Sequence, residues 1–121
     1  MHTTIRAPVF PTENPEKVKK AVLNIFSDAE ISVENGELIG ESKSLERFRE
    51  ILRDQRIRDT ARSFLSSCID GNKVRFSISK QAAYMGKISF GGNNPALGEI
   101  EISIESDDPK GMVQWLTSKG D

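Results

Sequence analysis

Two stretches of strict alternation, 73–79 and 99–105, limit this chain to folds containing a sheet that is covered on one side only. In the first, Val74, Phe76 and Ile78 point one way while Lys73, Arg75, Ser77 and Ser79 point the other. In the second, Ile100, Ile102 and Ile104 alternate with Glu99, Glu101, Ser103 and Glu105. Strands buried on both faces would be apolar throughout, so each of these needs one covering layer and leaves a polar face open.

The covering layer is legible as helices with a single apolar stripe. Asn14-Pro15 is a start signal, because Asn caps free N–H groups and Pro fits the first turn, and Val18, Ala21, Val22, Ile25 and Phe26 follow at helical spacing. Asp108-Pro109 repeats the signal before Met112, Val113, Trp115 and Leu116. Ser44 opens a longer helical stretch whose two stripes, Leu45/Phe48/Leu52 and Ile57/Ala61/Phe64/Leu65/Cys68, are out of phase, so a break near Asp54-Gln55-Arg56 is expected. Ile5 to Val9 reads as a first strand, with Pro8 at an edge or bulge, and Asn35-Gly36 closes a hairpin between 31–34 and 37–40. A short strand is expected within 85–90 and a loop over 91–95. The fold class is α/β (α+β): one domain over 1–121, a two-layer fold with a mixed, mainly antiparallel sheet, helices packed on one face, and Arg6, Lys73 and Arg75 on the other.

Charge is unevenly distributed. The formal net charge is -1, yet Lys43 to Phe90 holds eleven Lys/Arg against five Asp/Glu, and the rest of the chain six against thirteen. Such a field draws polyanions to one region. Within it, Lys43, Arg47, Arg49, Arg53, Arg56, Arg58 and Arg62 fall within twenty positions, and the arginine fork matches phosphate oxygens and stacks on bases. Two readings stand side by side: a phosphate-contacting ridge continued by Lys73, Arg75, Lys80 and Lys87, or local pairs of Glu46 with Arg49 and Arg53, Glu50 with Arg53, Asp54 with Arg58 and Asp59 with Arg62. Tyr84, between Lys80 and Lys87 and outside any stripe, either stacks a base or covers the sheet edge. Phe48, Phe64, Phe76 and Trp115 are expected in the core.

Catalytic chemistry is poorly provided for. His2 is the only histidine and sits at the terminus, Cys68 lies on an apolar stripe, and no Cys/His metal spacing or phosphate loop occurs. No metal, cofactor or enzymatic activity is expected. One cysteine fits a reducing compartment, and neither a signal peptide nor a run of about 20 apolar residues is present, which points to the cytoplasm and away from membranes.

Three stretches, 14–22 (NPEKVKKAV), 52–62 (LRDQRIRDTAR) and 80–84 (KQAAY), resemble a small archaeal family of uncharacterised proteins to which RNA binding is attributed. The resemblance extends over essentially the whole chain. It implies a cytoplasmic archaeal protein with a two-layer, ribosomal-protein-L-five-like fold, and it supplies no site residues. The leading expectation is a non-catalytic RNA-binding domain in which Arg47, Arg49, Arg53, Arg56, Arg58 and Arg62 contact phosphates, Arg75 and Lys80 extend the path, and Tyr84 stacks. The rival is an interaction module, a homodimer or a binder of a protein partner, built on the segregated acidic and basic faces. An enzyme holding a small phosphorylated ligand ranks third for want of an acid, base or nucleophile.

Overall fold

The computed structural model describes residues 1–91 and 99–118. Its elements run β1 (His2–Pro8), α1 (Pro15–Ile25), β2 (Glu30–Glu34), β3 (Glu37–Ser42), α2 (Glu46–Asp54), α3 (Arg58–Ser67), β4 (Ile69–Asp70), β5 (Lys73–Ile78), α4 (Lys80–Tyr84), β6 (Ile100–Glu105) and α5 (Pro109–Leu116). The strands form one six-stranded sheet in the order β2-β3-β1-β6-β5-β4. Every pairing among the described residues is antiparallel, so the mixed, mainly antiparallel sheet expected from the sequence is antiparallel throughout them.

The helices cover one side of the sheet. Ile5, Val74, Phe76, Ile78, Ile100, Ile102 and Ile104 are buried beneath them with Val18, Val22, Ile25, Phe48, Leu52, Leu65 and Val113. The Phe48 ring stacks on Phe26 and meets Phe76 edge-on, both at 5.9 Å between centroids, tying α2 to the end of α1 and to the sheet. Asn14 accepts a hydrogen bond from the Glu16 N–H and Asp108 one from the Gly111 N–H, as their positions before a proline predict.

Local geometry follows the sequence at the turns. Asn35 and Gly36 both take positive φ, 52° and 75°, in the β2–β3 hairpin. Arg56 takes φ 58° between α2 and α3, turning the second stripe back onto the core. Three expectations need correction. Pro8 lies in an interior strand, tolerated because it follows the last β1–β6 pair, Arg6↔Glu101. Segment 85–90 is not a strand: Phe90 alone bridges Ile78. The preceding stretch is the short helix α4, capped by the Ser79 hydroxyl, which accepts from the Ala82 N–H. Trp115 is 39% exposed, since α5 buries Met112, Val113 and Leu116 instead, and the Arg49 guanidinium lies 5.2 Å from its ring centroid. The loop expected over 91–95 lies, from residue 92 on, outside the described residues.

Candidate nucleic-acid interface

The arginines of α2 and α3 divide into two groups. Arg49, Arg58 and Arg62 turn toward the end of α5. Arg49 donates to the Trp115 carbonyl and the Ser118 hydroxyl, both at 3.0 Å; Arg62 donates to the Thr117 hydroxyl at 3.0 Å and its carbonyl at 3.1 Å; Arg58 reaches the Ser118 carbonyl at 3.4 Å. The last carbonyls of a helix have no intrahelical partners and carry its negative dipole end, and α5 has no basic residue in its own last turn. Cations from two neighbouring helices fill that role. Arg47, Arg53 and Arg56 stay exposed; Arg47 pairs with Glu50 at 3.1 Å and Arg53 with Asp54 at 3.5 Å. These pairs differ from the five read off the helical spacing, and tertiary partners 55 to 69 residues away captured Arg49, Arg58 and Arg62.

Lys80 and Arg75 leave the ridge altogether. The Lys80 ammonium donates to the Pro8 carbonyl and to Glu13, the latter at 2.9 Å, and its side chain is only 14% exposed. Desolvation alone would raise the Glu13 carboxyl, but hydrogen bonds from Lys80 and the Phe10 N–H outweigh it and hold the group below its ordinary range. Arg75 is exposed on the far side of the sheet, since its neighbour Phe76 is the residue that meets α2. The nine expected positions therefore occupy several surfaces.

Around Tyr84 a different group assembles. Tyr84 is 37% exposed, and its ring lies against α1, with the Lys20 ammonium 5.4 Å and the Lys17 ammonium 5.9 Å from its centroid. Asn24 of α1 holds α4 in place by donating to the carbonyls of Ala83 and Tyr84, both at 3.1 Å. A groove of about 520 Å³ runs between Lys20, Asn24, Arg47 and Tyr84, with Met85 70% exposed at its lip. Next to the lining residue Ser27, Asp28 accepts hydrogen bonds from the Ser42 hydroxyl and the N–H groups of Lys43 and Ser44, tying the segment after α1 to the turn that launches Arg47 on α2. Desolvation would raise the Asp28 carboxyl, yet these donors outweigh it and hold it low. Gln55 binds the backbone of Ile88 in both directions, with Arg56 and Lys87 adjacent to that clamp. Sequence reasoning singled out Tyr84 and Arg47 and gave no role to Lys17 and Lys20; nothing in a helical stripe signals that a helix 60 residues later will dock beside them.

Among the described residues, no group of three or more His, Cys, Asp or Glu side chains is placed to hold a metal ion, and no helix is long and apolar enough to cross a membrane. Burial pushes the Cys68 thiol up, slightly offset by a hydrogen bond with Ser67.

Comparison with known proteins follows the same lines. A family model described as RNA binding matches residues 2–106. A UPF0201 protein of Methanothermobacter thermautotrophicus is 44% identical over 115 residues, covering 93% of this chain and 87% of the relative. One of Thermococcus onnurineus is 39% identical over 122 residues, covering 95% and 90%. The crystal structure of the UPF0201 protein from Methanococcus jannaschii superposes with a TM-score of 0.89 at 36% identity, covering 98% of this chain and all of that one.

Proposed function

The chain belongs to the archaeal UPF0201 family, whose model is described as RNA binding, and from that premise we propose that it is a non-catalytic, cytoplasmic RNA-binding protein that takes single-stranded RNA at the Tyr84 groove. Tyr84 stacks a base, while Lys17, Lys20 and Arg47 contact the flanking phosphates. The exposed cations Arg53, Arg56 and Lys87, the last two next to the Gln55–Ile88 clamp, supply further phosphate contacts in this reading. The observation that carries this reading is an exposed aromatic ring with two ammonium groups 5.4 and 5.9 Å from its centroid beside a groove, because a base has a π-face to offer the ring and flanking phosphates to offer the lysines.

Both lysines are exposed and only their ammonium groups lie over the ring, so a base that stacks on Tyr84 displaces two weak, solvated cation–π contacts rather than a buried side chain. Arg47 is shared with Glu50, an exposed pair of little intrinsic strength that yields readily to a phosphate. Three phosphate contacts give a log–log salt slope of about 2 on single strands.

Fluorescence anisotropy with a labelled single-stranded RNA tests the reading. Tyr84→Ala should weaken binding by about 1–3 kcal/mol, the measured range for a stacked base. Lys17→Gln with Lys20→Gln should lower the salt slope by roughly 1.4. Unchanged affinity in Tyr84→Ala, together with an unchanged salt slope in the lysine variant, would remove the groove from consideration.

A further inference from the structure

On the opposite side of the sheet from the Tyr84 groove lies a larger cavity, about 710 Å³, and we propose that it binds one phosphate monoester of mononucleotide size, with the phosphate held by Arg75 and Lys73. Its floor is the open side of β1, β6 and β5, the strands at the middle of the sheet and toward β4. Strand register aligns Thr4, Ser103 and Arg75 in one cross-strand row, and Arg6, Glu101 and Ser77 in the next. The last turns of α3 raise a wall beside this floor through Phe64, whose ring tilts onto Phe90 at 4.8 Å between centroids.

The chemistry of the floor is graded. Among the described residues neither Arg75 nor Lys73 has an ion-pair partner. Arg75 presents a planar fork that fits two phosphate oxygens, and the hydroxyls of Ser103 and Thr4, next in its row, can donate to the others. Glu101, in the adjacent row, is an acceptor when ionised, so it rejects phosphate and takes hydroxyls. Arg6, held at 2.8 Å by Glu37, flanks that acceptor rather than standing free. A ligand with an anionic end and a hydroxylated end is thereby oriented, its phosphate toward Arg75 and its sugar toward Glu101, with Phe64 as an apolar side wall. The volume falls in the range of about 300–1,000 Å³ typical of small-molecule sites.

A continuous RNA strand fits this face less well. Leaving the cavity along the sheet toward β3 and β2, a backbone would run over Glu37, Glu41, Glu30 and Glu34, a field that repels successive phosphates. A single phosphate avoids it.

Isothermal titration with adenosine 5′-monophosphate, ribose 5-phosphate, adenosine and inorganic phosphate separates the outcomes, using the full chain, Arg75→Gln, Ser103→Ala and Tyr84→Ala. The expected result is one-to-one binding of the two monoesters, about tenfold or more weaker in Arg75→Gln, weaker in Ser103→Ala, unchanged in Tyr84→Ala, and absent for adenosine. Arg75 and Ser103 lie on the open face outside the core, and a thermal melt of each variant confirms that it folds. Several results would overturn the proposal: no monoester binding at millimolar concentration, binding equal in Arg75→Gln, or inorganic phosphate binding as tightly as the monoesters. A short single-stranded RNA that loses affinity in Arg75→Gln while the monoesters fail to bind would make this face part of an RNA surface instead. Because the groove is reported by Tyr84→Ala, failure here leaves the RNA reading standing, and the reverse also holds.

Discussion

Two clusters of cations on the helical layer look alike in composition and differ in what they are attached to. At the end of α5, Arg49, Arg58 and Arg62 spend their N–H groups on backbone carbonyls and hydroxyls of residues 115–118. Beside α4, Lys17 and Lys20 lean toward an exposed ring, and Arg47 shares an exposed pair with Glu50. The first cluster is occupied by the protein's own acceptors, which a ligand would have to displace one hydrogen bond at a time. The second is preassembled but weakly held, which is what an interface for an exchangeable anion requires. Charge density alone does not locate a binding site; the supply of competing internal acceptors does.

The largest test of that contrast is the double variant Arg49→Ala, Arg62→Ala. It leaves the carbonyls of Trp115 and Thr117 without these charged donors and uncovers Trp115, so urea unfolding should lose about 2–4 kcal/mol, with RNA affinity under native conditions within about twofold of the parent. Full stability combined with a large loss of RNA binding would reverse the assignment and return these arginines to the interface.

A smaller effect is expected at Lys80, a cation that the sequence places beside Tyr84 but the fold places in an internal knot. Lys80→Met keeps the aliphatic stem and removes the ammonium that bridges the Pro8 carbonyl and Glu13, and should cost about 1–2 kcal/mol in urea unfolding. The salt slope of RNA binding should not change. A slope lower by about 0.7 at unchanged stability would show instead that Lys80 contacts a phosphate.

Much of the architecture was open to reading from local pattern because its causes are local. Alternation over 73–79 and 99–105 sets β5 and β6, Asn35-Gly36 sets the hairpin, and the phase jump between Leu52 and Ile57 forces the turn at Arg56. The candidate site was less open, since arginine and lysine are long enough that their direction is chosen by whatever acceptor the tertiary fold brings near. Arg62 finds Thr117 at a separation of 55 residues and Lys80 finds Glu13 at 67, contacts that no helical spacing encodes. Trp115 misled because a short helix shows its stripe poorly: Met112, Val113 and Leu116 face the layer, while Trp115 stays partly exposed under an arginine from another helix. The single turn of α4 was missed because five residues are too few to show a period, although Ser79 ahead of Gln81-Ala82-Ala83 is a usable capping signal.

The smallest expected effect concerns what holds the groove open. Asp28 joins α1 to the turn before α2, so it fixes the distance between Lys20 and Arg47 without touching either. Its carboxyl is held below the ordinary range in the folded chain by the donors that outweigh its desolvation, and a depressed folded-state pKa contributes stability above the unfolded value, near about 4, which is lost as pH falls through the folded one. Asp28→Asn removes that contribution at every pH. The stability gap between parent and variant, followed by circular dichroism in urea, should therefore be constant from neutral pH down to about 5 and close progressively below about 4. At neutral pH the variant should also bind RNA more weakly than the parent while keeping the same salt slope, because the three cations remain and only their spacing has loosened. A gap that does not change with pH would mean that Asp28 is not a charged anchor, and a lower slope would mean that loosening this turn removes Arg47 from the contact altogether.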